Sequence, residues 1–245
     1  MIRALILLLA LVVSACSPFG VPAAEYRALV AFYESTGGEE WTDQRGWLEN
    51  EDPCSWYGVI CEGGHVVSLT MNWNNLRGPL PPELAELSEL RQLVLYFNHL
   101  TGPLPPELGQ LKNLESLILH NNEFSGGIPP EWAGMRSLVK LDLVLSALSG
   151  PLPPELGQLS HLQVLNLKGN AFSGSIPAEW GQLRALENLF LSNNELEGAV
   201  PEVLAELPNL VMFSVLGNPG ITSVPPALDA LPDTAYDLLN FSAEE

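Results

Sequence analysis

The feature that most constrains this chain is a repeat. From Val66 onward the segment Leu69-Thr70-Met71-Asn72-Trp73-Asn74-Asn75-Leu76-Arg77-Gly78-Pro79-Leu80-Pro81 recurs every 24 residues. The leading aliphatic position reads Leu69, Leu93, Leu117, Leu141, Leu165, Leu189 and Phe213. Asparagine falls at Asn74, Asn98, Asn122, Asn170, Asn194 and Asn218, with Ser146 standing in the fourth copy. Gly78, Gly102, Gly126, Gly150, Gly174 and Gly198 keep the same step, as do prolines from Pro81 to Pro225. Seven copies span residues 64–231 of the 245. A unit this short cannot bury a core alone, so the units must stack into a solenoid.

Leu69 and Met71 flank Thr70, so alternate side chains point inward and outward as in a short strand. Seven parallel strands at about 4.8 Å give a sheet roughly 30 Å long. Each Asn lies where the chain leaves the strand, placed to satisfy backbone groups that the turn leaves unpaired. A structural ladder over Asn74, Asn98, Asn122, Asn170, Asn194 and Asn218 follows, weakened at Ser146 by its shorter reach. Glycine at the Gly78 column permits backbone angles closed to other residues. The periodic Gly and Pro, 21 of each, are thus punctuation of coils and not linker composition.

The copies resemble the plant-type leucine-rich repeat, L-x-x-L-x-x-L-x-L-x-x-N-x-L-x-G-x-I-P. The resemblance implies an α/β solenoid, a right-handed curved stack with a parallel sheet on its concave face. It also implies a second small strand per coil and a short helical turn such as Pro82–Leu87. Residues 24–63 read as the N-terminal cap. Tyr26, Leu29, Val30 and Tyr33 have helical spacing, ended by Gly37-Gly38. Cys54-Ser55-Trp56-Tyr57-Gly58-Val59-Ile60-Cys61 is similar to the cap of plant leucine-rich-repeat receptors. The far end departs from that family. No paired cysteines follow the last repeat, Thr222 replaces a glycine, and residues 232–245 read as an acidic cap or tail. No membrane-spanning or kinase-like segment is read after the repeats, so receptor-kinase signalling is not carried over.

Residues 1–15 have the proportions of a signal peptide: Arg3, then an apolar run from Ala4 to Val13. Val13-Ser14-Ala15-Cys16 resembles the lipobox of bacterial lipoproteins, which implies lipidation of Cys16, a membrane anchor and an envelope location outside the cytoplasm. The alternative is an ordinary signal peptide cut near Ala15 or Ala24. Residues 16–23 then form a tether. With Cys16 lipidated, the three cysteines leave Cys54 and Cys61 as a disulfide pair. That closure contributes on the order of 2.5 kcal/mol in the chain-entropy model.

A formal net charge of −19 excludes a nucleic-acid partner, because the chain would repel phosphate. The 29 acids divide into nine from Glu25 to Glu62, fifteen in the repeats and five after Leu228. No catalytic constellation or cofactor motif is visible, so the reading is not an enzyme, with no cofactor and no metal. Two weaker metal readings stay open: His99 with His120, and the periodic Glu83, Glu107, Glu131, Glu155 and Glu179, whose structural role is at helical-turn starts.

The outward strand positions carry the functional signal, since the fold does not dictate them. Trp73, Val94, Tyr96, Phe97, Ile118, His120, Val144 and Leu145 gather there in the first four coils. An apolar, aromatic patch on an exposed sheet marks a binding surface. The expected role is therefore noncovalent recognition of a protein or peptide ligand by a lipid-anchored module. The runners-up are an envelope spacer or adhesion protein with weak self-association through the patch, and an inhibitor of a secreted glycan-degrading enzyme.

Overall fold

The computed structural model describes residues 20–232. Residues 1–15, read as a signal peptide, Cys16 with the first half of the tether (16–19), and the tail beyond Pro232 lie outside the described residues. In chain order the elements are helix α1 (Ala23–Ser35), strands β1 (Val59–Glu62), β2 (His65–Thr70) and β3 (Arg77–Gly78), then two strands per coil. These are β4 (Gln92–Val94), β5 (His99–Pro103), β6 (Ser116–Ile118), β7 (Glu123–Ser125), β8 (Lys140–Asp142) and β9 (Ser149–Pro151). β10 (Val164–Asn166), β11 (Ala171–Gly174), β12 (Asn188–Phe190), β13 (Glu195–Ala199), β14 (Met212–Ser214) and β15 (Gly220–Ser223) follow, and a short helix α2 (Pro226–Asp229) ends the series.

One long sheet runs β1-β2-β4-β6-β8-β10-β12-β14, parallel throughout except for the antiparallel β1–β2 pair. Its register places Leu69, Leu93, Leu117, Leu141, Leu165, Leu189 and Phe213 side by side, all buried. This is the leucine-rich-repeat solenoid, with the leucine column as its core.

The asparagine ladder is built from both ends of each amide. Asn98 Nδ2 donates to Met71 O and Leu95 O at 2.8 Å, while its Oδ1 accepts from the N–H of Asn74 and Leu76. Ser146 Oγ lies 3.2 Å from both Leu119 O and Val144 O and has a single proton to share between them. It does not serve Phe124 N–H, although Asn122, Asn170, Asn194 and Asn218 serve the matching Leu100, Leu148, Phe172 and Leu196. The second strands split at that coil into β3-β5-β7 and β9-β11-β13-β15.

Each coil returns through a 3₁₀ turn, led by Pro82–Glu86 and repeated to Glu202–Glu206. Glu83 and its equivalents occupy the first turn, where a carboxylate meets the positive end of the peptide dipoles. No group of three or more His, Cys, Asp or Glu with metal-holding geometry occurs among the described residues.

The cap covers the first coil. The buried face of α1 is Glu25, Ala28, Leu29 and Phe32, so the stripe expected through Tyr26, Val30 and Tyr33 is displaced: those three are half-buried at its margins. The displacement has a polar cause. Glu25 accepts from Val66 N–H at 2.8 Å and bonds His65 Nδ1 at 2.6 Å, drawing that helix face onto β2. Trp41, Trp47 and Trp56 fill the space beneath, with Trp47 and Trp56 ring centres 4.8 Å apart. Cys54 and Cys61 form a disulfide across it. Asn74, the first rung, bonds the cap at Asp43 instead of a preceding coil.

Candidate binding face

The residues singled out from the sequence lie on or beside the outer face of the long sheet. Tyr96 and His120 follow β4 and β6, one step apart, and stack with ring centres 4.6 Å apart. Trp73 and Phe97 occupy the next column and stack at 3.8 Å. Phe97 meets the His120 ring edge-on at 5.4 Å, joining the two stacks into one cluster over three coils. Val94 and Ile118 are half-buried beside it, while Trp73 and Leu145 are 60% and 51% exposed. Val144 differs from the expectation. Its side chain is 2% exposed and belongs to the covered part of the face.

Backbone geometry adds something the sequence does not announce. The column before the ladder is left-handed: Trp73, Phe97, Asn121, Leu145, Gly169, Asn193 and Gly217 have φ between 50° and 72°. The cause is coil closure, which points these amides at the next coil: Trp73 N–H bonds Tyr96 O and Phe97 N–H bonds His120 O. Glycine and asparagine adopt this region readily, whereas a bulky residue costs about 1–2 kcal/mol. Trp73, Phe97 and Leu145 therefore carry a backbone cost that the other four coils avoid.

The electrostatics are set by burial. His120 is pushed down to about 4, first by desolvation and then by the Lys140 charge, so the ring is neutral near pH 7. Its Nδ1 accepts from Asn121 Nδ2 at 2.9 Å, which leaves the ring proton on Nε2. Asp142, 8% exposed, is raised to about 6 by desolvation, offset by Lys140 and by the N–H of Val144. His99 lies on the other strand of its coil, bonded to Glu123 at 3.0 Å. The weaker reading of His99 with His120 as a pair finds no contact between them among the described residues.

Ile60 was missed by sequence reasoning. It pairs with Ser68 across β1–β2 and is 56% exposed at the N-terminal edge of the same sheet. Only the hairpin register, which the cap sequence does not display, puts it there.

Comparison with known proteins now places the architecture. Family models for the leucine-rich-repeat N-terminal domain match residues 22–62, and models for the leucine-rich repeat match 89–111, 113–135 and 160–219. The solved structure of Pollen Receptor Kinase 3 is 35% identical, with a TM-score of 0.70 over 80% of this chain and 96% of that one. The chain belongs to the leucine-rich-repeat family, in its plant-type form.

A plant ice-binding protein superposes with a TM-score of 0.72 at 28% identity, over 83% of this chain and 65% of that one. The plant peptide hormone receptor RGFR1, solved in complex with RGF2, gives 0.61 at 33% identity, over 64% of this chain and 26% of that one. Among curated proteins, the receptor-like serine/threonine kinase FEI 2 of Arabidopsis thaliana is 48% identical over 50 residues. Those residues are 20% of this chain and 8% of the kinase, so this chain spans a small part of that relative's length.

Proposed function

We propose that this chain is a noncovalent binding module that recognises a protein or peptide ligand on the outer face of its long sheet. One observation carries the reading. Trp73, Phe97 and Leu145 sit in left-handed backbone positions where glycine or asparagine serves the fold without cost. Local strain of this kind, kept in the exposed Trp73 and Leu145 and the half-buried Phe97, points to a role outside the fold. The receptor solved with RGF2 supports a peptide or protein as the ligand class, since its architecture is similar.

The test is capture from envelope and culture-medium extracts by the full chain, against a Trp73→Ser/Tyr96→Ser/Phe97→Ser variant. The expected result is a partner retained by the parent and lost from the variant at matched melting temperature. Equal capture by both would overturn the reading.

The lipid anchor and a bacterial envelope location belong to the same proposal. They rest on Val13-Ser14-Ala15-Cys16 and the apolar run before it. Cys16→Ala should move the protein from the membrane fraction to the soluble one, and unchanged retention would refute the anchor.

A further inference from the structure

The charges on the binding face run against the rest of the molecule. The three outward positions of seven coils make twenty-one sites, the columns of Ser68, Thr70 and Asn72. Acids outnumber Lys and Arg 29 to 10 in the whole chain, yet these columns hold two lysines, Lys140 and Lys168, and one acid, Asp142. The chain has only one other lysine, Lys112. Asp142 is buried, and it spends one oxygen on Val144 N–H. Lys140 is half-exposed and forms no ion pair among the described residues. The accessible charge on these columns is therefore positive, adjoining an aromatic cluster, inside a frame of net charge −19.

We infer that the ligand is a peptide segment with an aromatic or large apolar residue seated on Trp73 and Phe97 and a single carboxylate directed at Lys140. This rests on the binding role proposed above and specifies its partner. The spacing follows from the repeat. Trp73 and Phe97 belong to the first and second coils and Lys140 to the fourth, so two or three steps separate them. At about 4.8 Å per step this is roughly 10–15 Å along the stack, and the Lys140 column lies five positions before the Trp73 column, roughly 15 Å across the sheet. An extended peptide running diagonally covers the resulting distance of roughly 20 Å in about five to seven residues. The neutral His120, with its proton on Nε2, lies between as a donor for a peptide carbonyl. The acidic frame selects against a run of acids, so one carboxylate in a neutral or basic segment satisfies both fields.

The probe is a displayed library of random dodecapeptides, selected on the full chain. Selected sequences are then synthesised and titrated by the fluorescence of Trp73, the exposed indole beside five buried tryptophans. The expected result is enrichment of an aromatic or large apolar residue with Asp or Glu about five to seven positions away. Lys140→Glu should weaken such peptides about tenfold or more, while their Asp→Asn forms bind parent and variant alike. Peptides lost with Trp73→Ser but indifferent to Lys140→Glu would overturn the carboxylate inference and leave the binding role standing. A selection yielding no Trp73-dependent peptide would overturn both.

Discussion

At the scale of single residues, two positions on the face carry opposite lessons about cost. Trp73 is exposed and held left-handed, and Asn193 occupies the same column with nearly the same φ. Trp73→Asn should therefore leave the chain as stable as the parent or up to about 1 kcal/mol more stable, while abolishing ligand binding. Denaturant unfolding and titration of the same samples check both halves. Asp142 is the second case. Its folded pKa lies above the ordinary value, so the folded chain holds this proton more tightly than the unfolded one. Its contribution is fully present below about pH 4 and is lost as pH rises to about 6. Asn166 fills the same column one coil on and accepts from Lys168 N–H, so asparagine suits the geometry. Asp142→Asn should match the parent near pH 4 and exceed it by on the order of 2–3 kcal/mol at pH 7. His120, depressed to about 4, gives the opposite slope between pH 6.5 and 4, and the comparison at each pH cancels it.

At the scale of elements, the return turns show paired large and small residues. Trp132 and Trp180 replace the leucine of the other turns, and their indole N–H groups donate to Pro105 O and Pro153 O of the preceding coils. The coils before them carry Gly109 and Gly157, where an added Cβ would lie 2.1 and 2.4 Å from Glu131 O and Glu179 O. Ala85 holds the position matching Gly109 in the coil before the Leu108 turn, so alanine is tolerated ahead of a leucine turn. Gly109→Ala should cost about 2–4 kcal/mol, and adding Trp132→Leu should recover part of it. Additive losses in the double variant would contradict this coupling. The period of the turns is legible in the sequence. The pairing is only half legible, because Gly181 precedes the leucine turn of Leu204 and breaks the correlation.

At the scale of the whole molecule, a solenoid is as cooperative as its coil-to-coil interfaces. The junction at Ser146 combines a shortened ladder rung with the split between the β3-β5-β7 and β9-β11-β13-β15 ribbons. Amide hydrogen exchange should be fastest there among interior coils. Ser146→Asn should slow it and add about 0.5–1.5 kcal/mol. Uniform exchange along the stack would show that the leucine column alone sets cooperativity.

Solenoid, period, ladder and the placement of seven of the eight patch residues, all but Val144, were determined by the sequence itself. A 24-residue repeat with inward leucines has one economical way to bury them, so local pattern and global fold coincide. The exposure of Trp73 and Leu145 against the burial of Val144, the face of α1 turned inward by Glu25, the arrival of Ile60, and the left-handed column were decided by the tertiary structure. Each depends on which neighbouring coil or cap segment covers a residue, or on where an amide must point to reach the next coil. Ile60 pairs only eight residues away, across a hairpin whose register the sequence does not display. The other contacts are set across 22 to 41 residues of chain, a range that a pattern read residue by residue does not span.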